Sequence, residues 1–186
     1  MKSDTVHPIE PPGGWFIWGL VILEMITFGV ALIALLVSAG KAPDTYHESR
    51  LLLDTRLGIA NTLFLLTSGY FMAEGLRQFR QRDLSRARTC LWLAITGGLL
   101  FLTLKGIEYA DKIAHGHTLS SDPFFTWYWL LTVFHLMHVV VGLCILGVLL
   151  RRLTSTSPED FEAGGVFWHM CDLIWLLLFP ALYLIL

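Results

Sequence analysis

Five apolar runs, each long enough to cross a lipid bilayer, constrain this chain more than any other feature. A spanning helix needs ~20 mostly apolar residues. The runs lie at about 15–39, 57–76, 89–107, 124–150 and 164–186. The expected fold is all-α, an integral membrane bundle of five transmembrane helices. Residues 1–14 form a short N-terminal segment and 15–186 the membrane domain. With 55% hydrophobic and 15% charged residues and a mean hydropathy of +0.62, an ordinary soluble domain is excluded. The net charge of −2 gives no sign of nucleic-acid binding.

The second run is the most dilute, through Asn61, Thr62, Thr67, Ser68 and Glu74. Its Ser, Thr and Gly content suits a helix facing other helices, because small and hydroxyl residues allow close approach in lipid. The start "MKSDTVHPIEPPGGW" does not read as a signal peptide, since a Pro-Pro-Gly-Gly break precedes a run too long for a signal core. The first helix is expected to be retained. Cys90, Cys144 and Cys171 all fall within spans as small apolar residues, with no disulfide framework implied.

Alternating the spans places the N-terminus, 77–88 and 151–163 on one side, with eight lysines and arginines against four on the other. The positive-inside rule then puts the N-terminus in the cytoplasm and the C-terminus in the periplasm. Five arginines in 77–88 dominate that balance, as a topology determinant that also meets anionic head groups. Trp15, Trp18 and the cluster "FFTWYW" (124–129) sit where an interfacial aromatic belt is expected.

Polar residues inside the runs carry the functional question. Glu24 lies nine residues after Trp15, roughly 14 Å along a helix at ~1.5 Å per residue. A carboxyl near mid-bilayer is held neutral or paired, and His138 or His135 at similar depth is the expected partner. His135 and His138 share a helix face at i, i+3 and are expected to bridge helices by hydrogen bonds. Lys105 and Glu108 are likewise i, i+3, expected to pair with each other or with Asp111 and Lys112. His169 and Asp172 share a face of the last helix and are expected to anchor it, with Glu74 as a further partner. A metal or haem site would draw on His135, His138 and His169, with Glu24 and Asp172 as further metal ligands, yet no HExxH or Cys-rich motif accompanies them. No nucleophile elbow or phosphate-binding glycine loop is present. A transporter titrating Glu24 fits poorly without an inverted repeat. Residue chemistry alone stops at a helical bundle with a buried polar girdle.

At these residues the chain resembles subunit III of the haem-copper oxidase superfamily. "FEAGGVFWHMCDLIW" is similar to that family's Phe-Glu-Ala…Trp-His-x-x-Asp-x-x-Trp signature through Phe161, Glu162, Ala163, Trp168, His169, Asp172 and Trp175. "FHLMHVVVG" resembles its Phe-His-x-x-His-Val…Gly stretch, and "KGIEYADKI" its Glu-Tyr segment at Glu108 and Tyr109. "NTLFLLTSGY" resembles its Asn-Thr…Ser-Gly helix at Asn61, Thr62, Ser68 and Gly69, and Glu24 falls at the position of its carbodiimide-reactive buried glutamate. Mitochondrial-type members have seven helices, and the first two have no counterpart here, as in short bacterial forms. The stretch "PPGGWFIWGLVILE" is most similar to the short branch associated with nitric oxide reductase (NorE-like).

The resemblance implies an accessory subunit of a haem-copper-type nitric oxide reductase in the bacterial inner membrane, or alternatively of an oxygen-reducing oxidase. It implies a haem-containing catalytic subunit as partner, no haem or metal of the chain's own, and bound phospholipid in a cleft between helices. Glu24, Asn61, Glu108, His135, His138, His169 and Asp172 are the implied buried polar or lipid-cleft residues. The rival from another class is a small membrane redox protein carrying haem or metal on His135, His138 and His169.

Overall fold

The computed structural model describes residues 11–185, so most of the segment 1–14 lies outside the described residues. Those described form α1 (Gly14–Lys41), α2 (Pro43–Leu51), α3 (Thr55–Arg80), α4 (Leu84–Ala114), α5 (Pro123–Arg151) and α6 (Pro158–Pro180), with a π-helical turn at Ala181–Ile185. Four helices are long and apolar enough to cross a membrane: α1, α4, α5, and α6 with its π turn. α3 has the length, at 26 residues, but its polar side chains lower its apolarity below that of the others. The expectation of five spans thus meets four that satisfy both conditions, plus α3.

The helix boundaries follow from capping chemistry. Asp54, Asp83, Asp122 and Ser157 each accept a backbone N–H at the start of α3, α4, α5 and α6, satisfying donors that have no intrahelical partner. Pro43, Pro123 and Pro158 occupy first turns, where a missing N–H is harmless. The α3–α4 hairpin closes through Arg82, which sits at φ 63 with its N–H on Phe79 O at 2.9 Å while Asp83 N–H reaches Gln78 O at 3.0 Å. This left-handed helix end is usually glycine, and an arginine there costs roughly 1 kcal/mol.

The five runs leave the stretch between the first two as a connection, and the structure makes part of it the nine-residue helix α2. A spanning-length criterion passes over so short a polar element. Tyr46 and Ser49, at i, i+3, face inward, while Asp44, Thr45, His47 and Glu48 are exposed. Tyr46 OH donates to Ser38 Oγ at 2.7 Å, and Ser49 Oγ to Asp122 Oδ2 at 3.1 Å. Arg50 reaches the carbonyls of Tyr183 and Leu184. These bonds stitch α2 to α1, α5 and the C-terminal turn at one end of the bundle.

α6 is central and α1 peripheral: 56% of the apolar window of α6 is buried against 11% for α1. α3 lies along α4, and α6 packs against α3, α5 and α1. Inside lipid, apolar side chains gain little by meeting one another, so close packing and interhelical hydrogen bonds hold the helices together. Trp168 of α6 shows both. Its indole lies between Gly98 of α4 and Gly142 of α5, where an added Cβ would come within 2.7 Å of the ring at either position. Its Nε1 donates to Ser68 Oγ at 3.1 Å, and Ser68 donates to the Ala94 carbonyl, so one hydroxyl joins α3, α4 and α6.

Within the aromatic cluster 124–129, Phe124, Phe125 and Tyr128 are fully buried, while Trp127 and Trp129 are half-buried. Phe124 packs edge-on against Tyr46 of α2 at 5.9 Å, so the added helix covers part of that cluster. Trp15, at 71% exposure, does face outward. Cys90, Cys144 and Cys171 are free.

Candidate functional site

The polar candidates separate into four places. The first is at the α2 end of the bundle, where Lys105 and Glu108 of α4 are 1% exposed and pair at 3.2 Å. Tyr128 OH donates to Glu108 Oε1 at 2.6 Å, Tyr183 OH donates to the same oxygen, and Lys105 Nζ lies 2.7 Å from Tyr183 OH. The ammonium is also 5.0 Å from the Tyr128 ring centroid and 5.1 Å from that of Trp175, within cation–π range. α4, α5 and the π turn are thereby tied at one fully enclosed charge pair. Asp111 pairs separately with Lys112 at 2.8 Å.

Glu24 and His138 meet where α1 crosses α5, each with 15% of its side chain exposed. His138 Nδ1 lies 2.8 Å from the Phe134 carbonyl, which can only accept, so Nδ1 carries a proton. Nε2 then faces Glu24 Oε2 at 3.4 Å. That distance permits charge pairing, but the alignment falls short of a hydrogen bond, and Glu24 Oε2 has no other partner among the described residues.

His135 corrects an expectation. It is 0% exposed, yet neither ring nitrogen has a hydrogen-bond partner among the described residues. Instead of bridging helices it fills an aromatic box, stacked on Trp175 at 5.5 Å and edge-on to Phe101 at 5.7 Å and Phe28 at 6.4 Å. Asn61 is equally enclosed, and its amide has no partner among the described residues either. The adjacent Thr62 hydroxyl accepts Trp175 Nε1 at 3.0 Å.

His169 Nδ1 and Asp172 Oδ2 are 3.2 Å apart, the pairing their spacing predicts. Glu74 is not their partner. Its carboxylate takes Arg77 and Gln78, at 2.6 Å each for Oε1. The Ser-Gly step of α3 explains how Asp172 fits, since a Cβ on Gly69 would collide with Asp172 Oδ2. Among the described residues, no three His, Cys, Asp or Glu side chains gather as metal ligands.

Outside the bundle, clefts follow one another along α5. One of about 450 Å3 runs from Trp129 to Met137, and one of about 230 Å3 continues past His138 to Val141. A third, about 600 Å3, extends from Val140 and Val141 to a polar mouth of Arg152, Ser155, Thr156 and Asp160. From Val141 to Arg152 is roughly 16 Å at ~1.5 Å per residue, about half of a ~30 Å hydrocarbon core. This is an apolar trough one leaflet deep with a charged end. In the sequence Arg152 stands out only as a loop charge, and Asp160 not at all. Tyr128 and Tyr183 likewise give no signal of joining Glu108 from sequence positions so distant.

The sequence model of the family described as cytochrome c oxidase subunit III matches residues 49–185. A probable cytochrome c oxidase subunit 3 of Mycobacterium leprae is 28% identical over 98% of this chain and 94% of its own. The cytochrome c oxidase subunit 3 of Thermostichus vulcanus is 29% identical, over 89% of this chain and 83% of its own. That of Gadus morhua is 31% identical over 67% of this chain, which spans about half of it, 49%. Several apolar helices and this match make the chain a multi-pass membrane protein, and it belongs to the cytochrome c oxidase subunit III family.

Proposed function

We propose that this chain is the non-catalytic subunit III of a bacterial haem-copper terminal oxidase, seated in the cytoplasmic membrane against the haem-bearing catalytic subunit and carrying phospholipid along α5. The observation that carries the reading is the match to relatives named as oxidase subunits, nearly end to end in the mycobacterial case. The enclosed polar groups support it, because Lys105, Glu108 and Ser68 are engaged in contacts that hold helices rather than in an open reaction cleft. The trough along α5 supports the lipid, with apolar walls for acyl chains and Arg152 for a phosphate. The reading assigns the chain no haem or metal of its own.

An association with nitric oxide reductase draws on the likeness of "PPGGWFIWGLVILE" to the short branch. The mycobacterial relative, covered over 94% of its length, is named for an oxidase and favours the oxidase reading. The N-terminus is placed in the cytoplasm by the positive-inside rule. The α3–α4 turn and the α5–α6 loop support this by lining one cleft, with Arg80, Arg82 and Thr156 among its walls, which gathers the arginine-rich loops at one end.

Deleting the gene tests the proposal. Oxygen uptake through the oxidase is expected to fall or to decay faster during turnover, while the haem spectrum per catalytic subunit stays unchanged. A partner-free preparation of this chain that reduced oxygen or nitric oxide would overturn it.

A further inference from the structure

The mouth of the α5 trough carries two opposite charges that do not neutralise each other. Arg152 ends α5 and Asp160 lies in the first turn of α6, both line the same cleft, and neither forms an ion pair among the described residues. The two hydroxyls between them have already committed their protons. Ser155 Oγ donates to the Arg152 carbonyl at 3.1 Å and Thr156 Oγ1 to the same carbonyl at 2.9 Å. What those hydroxyls have left is acceptor capacity, since each oxygen keeps lone pairs after its single proton is used. The mouth therefore presents one cationic donor and three acceptors, namely two hydroxyls and a carboxylate.

A purely anionic headgroup satisfies only half of that set. Its phosphate would take Arg152, while Asp160 would repel it and the hydroxyl oxygens would find no donor. A headgroup carrying a phosphate and a primary ammonium satisfies all of it. The phosphate pairs with the guanidinium, and the three N–H bonds of the ammonium meet the carboxylate and the two hydroxyls. A quaternary ammonium has the charge but no N–H to donate.

We infer that the trough selects phosphoethanolamine-type lipids over anionic and choline lipids, with Asp160 as the residue that sets the preference. The inference rests on the phospholipid reading above and narrows it to one headgroup chemistry. Asp160 is free for that task. Its backbone N–H is capped by Ser157 Oγ at 3.1 Å, so its carboxylate is not needed to close the start of α6.

The test reconstitutes the full chain into nanodiscs holding equal amounts of dioleoyl phosphatidylethanolamine, phosphatidylglycerol and phosphatidylcholine. After mild detergent extraction, the lipid retained per protein is measured by mass spectrometry. The wild type is expected to keep the ethanolamine lipid about tenfold over the other two, the ratio that follows when a charge-assisted hydrogen bond stands in place of a repulsion. Asp160→Asn should bring the ethanolamine-to-glycerol ratio close to one with total retention maintained, and Asp160→Glu should restore the preference. An unchanged ratio in Asp160→Asn, or a wild type that prefers phosphatidylglycerol, overturns the selectivity while leaving lipid binding in place. If Arg152→Gln retains as much of every lipid as the wild type, the phospholipid reading of the trough fails and the inference fails with it.

Discussion

Replacing Glu108 by glutamine tests the reading of the enclosed charge pair as a scaffold. The substitution keeps size and shape, and the amide oxygen can still accept from Tyr128 and Tyr183. What it removes is the counter-ion of Lys105, and both side chains are 1% exposed. Removing one partner of an enclosed pair costs about 3–5 kcal/mol, because the remaining charge has no solvent to turn to. For a chain of 186 residues, each kcal/mol moves the midpoint by about 2–4 °C, so Glu108→Gln should melt about 6–20 °C below the wild type. The second arm is Lys105→Met with Glu108→Gln. This pair removes the stranded charge and fills its space with an unbranched side chain, so it should recover at least half of the loss. Thermal unfolding of the detergent-solubilised chain, followed by tryptophan fluorescence, reads both. A single variant within about 2 °C of the wild type, below the shift that one kcal/mol produces, or a double variant no better than the single, would refute the reasoning.

Other interfaces give sharper local tests. Gly142→Ala places a methyl group 2.7 Å from the indole of Trp168, which is wholly enclosed and has no room to move; overpacking of this kind costs about 1–3 kcal/mol, read as a lowered melting temperature. Asp172→Asn keeps its shape and contact with His169 and should be tolerated, whereas Asp172→Leu removes the partner of a ring that is 46% exposed and should cost about 0.5–1.5 kcal/mol in the same assay, the net value of one hydrogen bond. His138→Leu leaves Glu24 without its neighbour, and adding Glu24→Leu should recover part of the loss, with a coupling of about 0.5–3 kcal/mol in a double-mutant cycle. Additive single effects would show that the 3.4 Å approach of these side chains carries no energy.

The membrane spans are legible in the sequence because lipid imposes a length and a composition on any helix that crosses it. Pairs on a single helix are legible too, since three residues of spacing place His169 beside Asp172 and Lys105 beside Glu108. Depth along the helix brings Glu24 to His138 from a different element. Contacts set by three-dimensional packing leave no local trace. Tyr183 reaches Glu108 across 75 positions, and it does so because Pro180 ends the regular helix and the π turn aims the ring inward. Imidazole in lipid demands a partner, which makes His135 look like a hydrogen-bonding bridge. Three aromatic rings from three helices enclose it instead, which sequence spacing on α5 could not reveal. The trough is hidden for a related reason, as its polar mouth comes from two helix ends that are loop charges until the α5–α6 connection folds them together.

The central claim is that this chain is an accessory partner of a haem-bearing oxidase subunit. Affinity purification of the tagged chain from its native membrane, followed by a reduced-minus-oxidised spectrum and protein mass spectrometry of the eluate, tests that most directly. The account predicts a haem spectrum in the eluate, carried by a co-purifying haem-copper catalytic subunit in fixed ratio to the tagged chain. A haem spectrum belonging to the tagged chain alone, or an eluate that holds the chain with no haem-copper subunit, would contradict it.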